Sequence, residues 1–346
     1  MDMGSITTKV GFRARDGKEL RESIPRPAVE YCGLGQELPL RKSLVFGFLE
    51  RSGIRLADLD LIVSRGGLGK PGPAGVYRIS EAMHDDLMSG RYGEHVSALG
   101  PAIALEMAQI SGKEAVVIDP PSTDEFHDLA RFSGLPDIPR TSGFHALNQK
   151  AVARMASAEI GIDYKRARLI VAHMGGGITV GAHLNGRVID ASHGLSEGPF
   201  TPERAGSLPT LGLMTYAENH GWSLQQTRAF LVGKGGLKAY LGTSDAREVE
   251  DLTAKDPQAR VVYEAMAYQI AKEICSYAAV LNGKVDAVVL TGGLACSDLL
   301  VSWIKGRVSF LGRIFVYPGE DEIATLLEGG LRALKGEEPI LDYSTE

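Results

Sequence analysis

Leu40, Leu44, Val45, Phe48 and Leu49 recur at the three- and four-residue spacing of one helix face and stop at Gly53. Leu61, Ile62 and Val63 then form a short continuous apolar run, the pattern of a strand covered on both faces. Helix and buried strand go on alternating. Ser80 is placed to cap a second helix, and a third begins after Gly100 with Pro101 at its first position, where a missing N–H costs nothing, and ends before Gly112. Ala115 to Ile118 is the next buried strand. A helix from His145 to about Gly161 leads to a strand at Leu169 to Ala172, a glycine cluster at Gly175 to Gly177 and a strand at Ile178 to Leu184. Asn185-Gly186 suits a type I′ turn, which needs positive φ at both central residues, and Arg187 to Ala191 returns the chain as a hairpin. A long helix from Gln258 to Leu281 precedes a strand at Ala287 to Leu290, a helix capped by Ser297, a strand at Ile314 to Tyr317 and a helix reaching Lys335. Strands alternating with helices predict an α/β architecture.

With 346 residues, 44% of them hydrophobic and 23% charged, the chain has apolar mass for two domains. The Pro-, Ser-, Thr- and Gly-rich stretch from Pro136 to Gly143 is the boundary candidate. A net charge of -6 with no long basic run excludes a nucleic-acid or anionic-membrane footprint. The three cysteines, Cys32, Cys275 and Cys296, are odd in number and far apart, so free thiols in a reducing compartment are expected. No apolar run reaches membrane-spanning length and Met1 to Lys9 has no apolar leader, so a cytoplasmic location is expected.

Three glycine turns follow strands: Gly66-Gly67, Gly175 to Gly177 and Gly292-Gly293. Such turns expose backbone N–H groups that cradle phosphates, although any one of them alone is read first as a simple chain reversal. Gly67, Gly69 and Gly72 satisfy GxGxxG, but Pro71 and Pro73 intrude and no helix opens there, so a dinucleotide site is rejected. The GxxxxGK[ST] loop is absent. Gly194-Leu195-Ser196-Glu197-Gly198 matches the GxSxG elbow of serine hydrolases, yet Pro199 and Pro202 stand where that elbow requires a helix. Ser196 as a nucleophile is therefore the weak alternative.

The stretch Ile170-Val171-Ala172-His173-Met174-Gly175-Gly176-Gly177-Ile178-Thr179-Val180-Gly181-Ala182, closed by Gly186, resembles the second signature of the acetate and butyrate kinase family. Further matches are Arg65-Gly66-Gly67-Leu68, Val117-Ile118-Asp119-Pro120, Ile138-Pro139-Arg140, Phe144 to Ala153 and Glu197 to Arg204. They span nearly the whole chain and are more similar to butyrate kinases than to acetate kinases. The resemblance implies an α/β fold of two ribonuclease H-like, actin-like ATPase domains flanking a central cleft. Residues 1–139 with 322–346 would form an acid-kinase lobe, and 140–321 a nucleotide-binding lobe. It also implies ATP and Mg²⁺ as cofactors, a short-chain carboxylic acid such as butyrate or a branched analogue as acceptor, reversible in-line transfer giving acyl phosphate and ADP, and a homo-oligomer.

Such a reaction brings a carboxylate up to a triphosphate, so cations and oriented donors must dominate the site. By resemblance, Arg65 and Arg204 steer the carboxylate and neutralise the phosphoryl group, a task suited to the planar fork of guanidinium. By the same route His145 donates to the phosphoryl group in flight, and His173 is its binding-site neighbour. Gly175, Gly176 and Gly177 would receive the β/γ-phosphates, and Gly292 and Gly293 would lie near the adenosine. Asp119, at the end of a buried strand, would organise Mg²⁺ through water or orient an arginine. Asp321 and Glu322 stand either as the family's metal-linked acid or as acids favoured near a helix start.

The chain departs from the family pattern in two places. It opens Asp2-Met3-Gly4-Ser5-Ile6-Thr7-Thr8-Lys9 where the family has an apolar strand leading into Asn-Pro-Gly-Ser-Thr-Ser-Thr-Lys. Gly4, Ser5 and Lys9 match as nucleotide-binding positions, Asp2 replaces the family residue at a metal contact, and the leading strand is expected to be missing. Gly194-Leu195-Ser196 replaces the usual acid–glycine pair, which predicts shifted acyl specificity. A rival of another class is a nucleotide-binding pseudokinase that kept the fold and lost turnover.

Overall fold

The computed structural model describes residues 1–27 and 33–343, so the thiol expected at Cys32 lies outside the described residues. Cys275 and Cys296 are free thiols. The chain divides into two compact units, Met1–Asp124 with Asp321–Glu346, and Glu125–Glu320. The boundary expected at 139/140 thus falls near 124/125. Phe126 and Ala130 pack with Phe144, Val188 and Ala191, and the His127 amide donates to the Ile189 carbonyl, which binds this stretch to the second unit.

The first unit opens with the meander β1 (Asp2–Met3), β2 (Thr7–Arg13) and β3 (Glu19–Pro25), followed by α1 (Leu34–Arg51), β4 (Ile62–Arg65) and β5 (Val76–Arg78). Two helices, α2 (Glu81–Ser89) and α3 (Leu99–Ser111), then lead to β6 (Ala115–Ile118). Ser80 caps α2 by accepting from the Met83 amide, and Gly112 ends α3 in the left-handed conformation, both as the sequence requires. Asp2 and Met3, at the positions of the family's Asn-Pro, form the two residues of β1. Its start lies beside β4, because the Arg65 amide donates to the Met1 carbonyl and the Met1 amino group to the Val63 carbonyl.

The second unit begins with α4 (Ala146–Glu159), β7 (Arg168–Met174), β8 (Ile178–Leu184) and β9 (Arg187–Ala191). Four short helices follow: α5 (Thr210–Asn219), α6 (Leu224–Gly233), α7 (Gly236–Leu241) and α8 (Ala246–Thr253). The unit closes with α9 (Pro257–Val280), β10 (Ala287–Gly292), α10 (Asp298–Val308) and β11 (Arg313–Pro318). The chain then returns to the first unit as α11 (Glu322–Leu334) and β12 (Ile340–Leu341).

The five-stranded sheet of the second unit has the order β11-β10-β7-β8-β9, with β7, β8 and β9 antiparallel and β10 and β11 parallel to β7. Its continuous apolar strands are explained by cover on both sides. Leu169, Val171, Ala287 and Val289 pack with Val152, Ala153 and Ala156 of α4. Ile170, Ala172, Val288 and Leu290 share a core with Met266, Ile270 and Ile274 of α9. Asn185 (φ 52°) and Gly186 (φ 82°) make the predicted hairpin turn. In the first unit a similar succession is divided between two sheets, the antiparallel β1-β2-β3 and a second in which β4 is parallel to β6. β5 and β12 extend that sheet. This succession is the ribonuclease H-like arrangement implied above.

Candidate active site

In the second unit, β7 ends in His173 and Met174, the chain turns through Gly175 to Gly177, and β8 leaves with Ile178 and Thr179. The Gly175 amide donates to the Gly177 carbonyl across this turn. A Cβ on Gly177 would lie 2.3 Å from Arg204 Nη1 and 3.3 Å from His145 Cε1, so any side chain there would displace the end of Arg204. The guanidinium and the imidazole therefore both lie close to the turn at Gly177. Gly292, at the end of β10, has φ 91°, and its Cβ would collide with the Met174 carbonyl oxygen at 2.4 Å, so this strand end also demands glycine. Gly176 and Gly293 are exposed.

Arg204 is positioned by a tight loop. The Thr201 hydroxyl donates to the Gly176 carbonyl at 2.8 Å and accepts from the Arg204 amide, so the loop is tied to the glycine turn it serves. Nη1 of Arg204 donates to the Gly194 carbonyl at 2.7 Å, Nε is buried without a partner, and no ion pair to Arg204 forms among the described residues. Loss of hydration pulls its pKa below the ordinary arginine value, against the nearby Glu203. A half-buried cation left with donors to spare is suited to receive an anion. Behind it, Arg140 bonds to Asp190 and Glu197 and to the carbonyls of Ala130 and Ala191, anchoring the approach to the loop.

His145, at the N-cap position of α4, stacks on His173 with ring centroids 3.8 Å apart and planes 12° from parallel. His173 is buried, with Nδ1 2.8 Å from Asn148 Oδ1 and Nε2 3.1 Å from Glu320 Oε1. His145 Nδ1 lies 2.9 Å from the Thr179 hydroxyl. Asn148, Thr179 and Glu320 were not singled out from sequence, since their roles appear only once strand, helix and loop are assembled.

In the first unit Arg65, ending β4, pairs with buried Asp2 at 3.3 Å. Asp119 follows Ile118, the strand partner of Arg65, and is buried with φ 40°, a strained value for a residue with a side chain. His95, also missed in the sequence, titrates below the usual imidazole range, first through loss of hydration and then through repulsion from Arg65, with Asp2 opposing. The turn between β1 and β2 is held by fully buried Arg41, which donates to the carbonyls of Gly4, Ser5 and Thr7 and to the Thr8 hydroxyl.

Asp321 and Glu322 are committed elsewhere. The Asp321 carboxylate accepts from the Ala324 amide as the cap of α11 and pairs with Arg21. Glu322 pairs with Lys9 at 2.7 Å, which also engages that predicted phosphate contact. The helix-start reading accounts for the capping bond of Asp321. Among the described residues no three His, Cys, Asp or Glu groups gather to hold a metal. Ser196 is exposed in a turn followed by no helix, so the hydrolase elbow is not built.

Residues 137–312 match the model of the Acetokinase family. Butyrate kinase 2 of Clostridium acetobutylicum is 42% identical to this chain, covering 98% of it and 97% of the relative. Among solved structures, a propionate kinase from Francisella tularensis superposes with a TM-score of 0.76 at 20% identity, over 94% of this chain and 97% of that one. The acetate kinase of Porphyromonas gingivalis gives 0.75 at 19% identity, over 94% and 90%. At these identities the superpositions establish the fold.

Proposed function

Since this chain belongs to the acetokinase family, we propose that it transfers the γ-phosphoryl group of ATP to the carboxylate of a short-chain fatty acid, butyrate or a branched analogue, releasing ADP and the acyl phosphate. The observation that carries the reading is the Arg204 guanidinium, without an ion-pair partner among the described residues, set against Gly177 and His145. Charge on the transferred phosphoryl oxygens would be met by Arg204, by a donor on His145 and by the backbone amides of Gly176 and Gly177, the Gly175 amide being held by the Gly177 carbonyl. The acid itself attacks phosphorus in line, so no protein nucleophile is required.

Arg65 would steer the carboxylate. An apolar cavity of about 400 Å³, lined by Gly66 and Gly67 beside it and by Tyr77, Met83, Leu87 and Val117, supports an acid that carries a carbon tail. Mg²⁺ keeps most of its water and binds through one or two carboxylates and the phosphates, so it needs no protein cage. Buried Asp119 is the carboxylate that fits a water-mediated contact of this kind, and the ion would supply charge neutralisation on the phosphates. The exposed Leu211 and Met214 on α5 and Leu224 on α6, two helices with no buried residue, support a homo-oligomer.

The test is incubation with Mg-ATP and straight or branched acids of two to six carbons, trapping the product with hydroxylamine. Hydroxamate should form best with four- or five-carbon acids. Its absence with every acid, while ATP still binds, would favour the pseudokinase.

A further inference from the structure

A chain of buried polar side chains runs from His145 into the core of the second unit. His145 Nδ1 meets the Thr179 hydroxyl at 2.9 Å, and the Gln149 side-chain amide reaches that hydroxyl at 2.9 Å and the Thr179 backbone carbonyl at 3.1 Å. Gln149 Oε1 meets His183 Nε2 at 3.1 Å, and His183 Nδ1 meets the Tyr164 hydroxyl at 2.9 Å. Gln149, Thr179 and His183 are all fully buried. None of these contacts touches a phosphate or an acid, and the proposed chemistry leaves them unexplained.

The Thr179 backbone carbonyl, whose polarity is not in question, is the starting point for assigning the directions of these bonds. The Thr179 carbonyl can only accept, so the NH₂ end of Gln149 must face it and Oε1 must face His183. His183 Nε2 therefore carries a hydrogen. Burial holds His183 well below the usual imidazole pKa, so the ring is neutral and Nδ1 accepts from Tyr164. At the other end, the Thr179 oxygen accepts from the Gln149 amide at 2.9 Å and, weakly, from the His145 backbone N–H at 3.5 Å. A hydroxyl oxygen has two lone pairs, so what remains is its own O–H, and the acceptor in line for it is His145 Nδ1.

We infer that Gln149 and Thr179, backed by His183 and Tyr164, are positioning residues that hold neutral His145 in the tautomer with its proton on Nε2. The nitrogen facing the core accepts, and the one on the other edge of the ring becomes an obligatory donor. This deepens, and for its catalytic meaning rests on, the reading that His145 donates to the phosphoryl group. A ring free to exchange tautomers would present a lone pair to an anion for part of the time.

The test needs no substrate in its first arm. In the full-length protein labelled with ¹⁵N-histidine, two-bond ¹H–¹⁵N correlations distinguish the tautomers, and His145→Gln identifies the signals. Wild-type His145 should show a bare Nδ1 and a protonated Nε2; a protonated Nδ1 overturns the inference without any positioning variant having to fold. Thr179→Val and Gln149→Met should shift His145 towards a mixture and lower kcat by about tenfold, short of the hundredfold or more expected for losing a preorganised donor outright. KM for ATP should move little, and Thr179→Ser should recover most of the loss seen in Thr179→Val. An unchanged tautomer in Thr179→Val would sink the relay. A shifted tautomer with unchanged kcat would leave the relay standing and remove His145 from the proposed chemistry.

Discussion

The Arg204 guanidinium occupies the volume that a methyl group on Gly177 would need, so the two residues work as one device. Gly177→Ala should displace the guanidinium and cut turnover by about tenfold or more with unchanged circular dichroism, whereas Arg204→Ala and Arg65→Ala should each cost about a hundredfold or more. Rates within twofold of wild type in the hydroxamate assay would remove the residue concerned from the site. Gly177 was singled out because a strand–glycine-turn–strand motif is written in consecutive residues, whereas Arg65 and Arg204 were singled out by resemblance alone. Gln149, Thr179 and His183 were not, since Gln149 lies 34 residues from His183 in sequence and nothing in local spacing joins a helix to the second strand of a hairpin. For Asp321 and Glu322 local sequence leaves two readings open, because an acid that caps a helix and an acid that binds metal have the same letters around them.

Buried strands and capped helices were read closely from the chain, since β7 and β10 are covered on both faces and their apolar runs have no competing explanation. Elements with weak cover were missed: β3 alternates no apolar face, and α5 and α6 bury nothing. Also hidden was the clamp on the β1–β2 turn. Arg41, with no solvent exposure, pairs with Glu37 one helical turn earlier, and Glu37 also pairs with Arg26. Glu37→Gln would leave Arg41 buried without its counter-charge, and breaking such a pair costs about 3–5 kcal/mol. The hydrogen bond from Arg26 and then the one from Arg41 hold the Glu37 pKa below the usual carboxylate value despite its burial. A depressed carboxylate contributes stability above its unfolded pKa and loses it as pH falls through the folded value. Urea unfolding of Glu37→Gln should accordingly show a large loss at pH 7 that narrows against wild type below about pH 4. A uniform difference at both pH values would contradict the clamp.

Burial of a histidine also sets how the second unit responds to acid. His183, wholly inside the second unit, is kept neutral first by desolvation and then by the charges of Lys150 and Arg154. Its folded pKa lies below its unfolded value, so between the two the unfolded chain binds the extra proton, and stability is lost as pH falls below about 6.5. The slope from one such group is at most about 1.4 kcal/mol per pH unit. Both tryptophans of the chain, Trp222 and Trp303, lie in the second unit, and Trp303 packs edge-on against buried Tyr263 in its core. Tryptophan fluorescence in urea therefore follows the unit that contains His183. Its midpoint should move to lower denaturant between pH 7 and pH 5.5, well above the range in which ordinary carboxylates titrate, and His183→Gln should flatten that dependence even though it starts from a less stable protein. A wild-type midpoint that stays constant over this interval would mean that His183 is free to charge in the folded state, and with it would go the fixed polarity of the bonds that lead to His145.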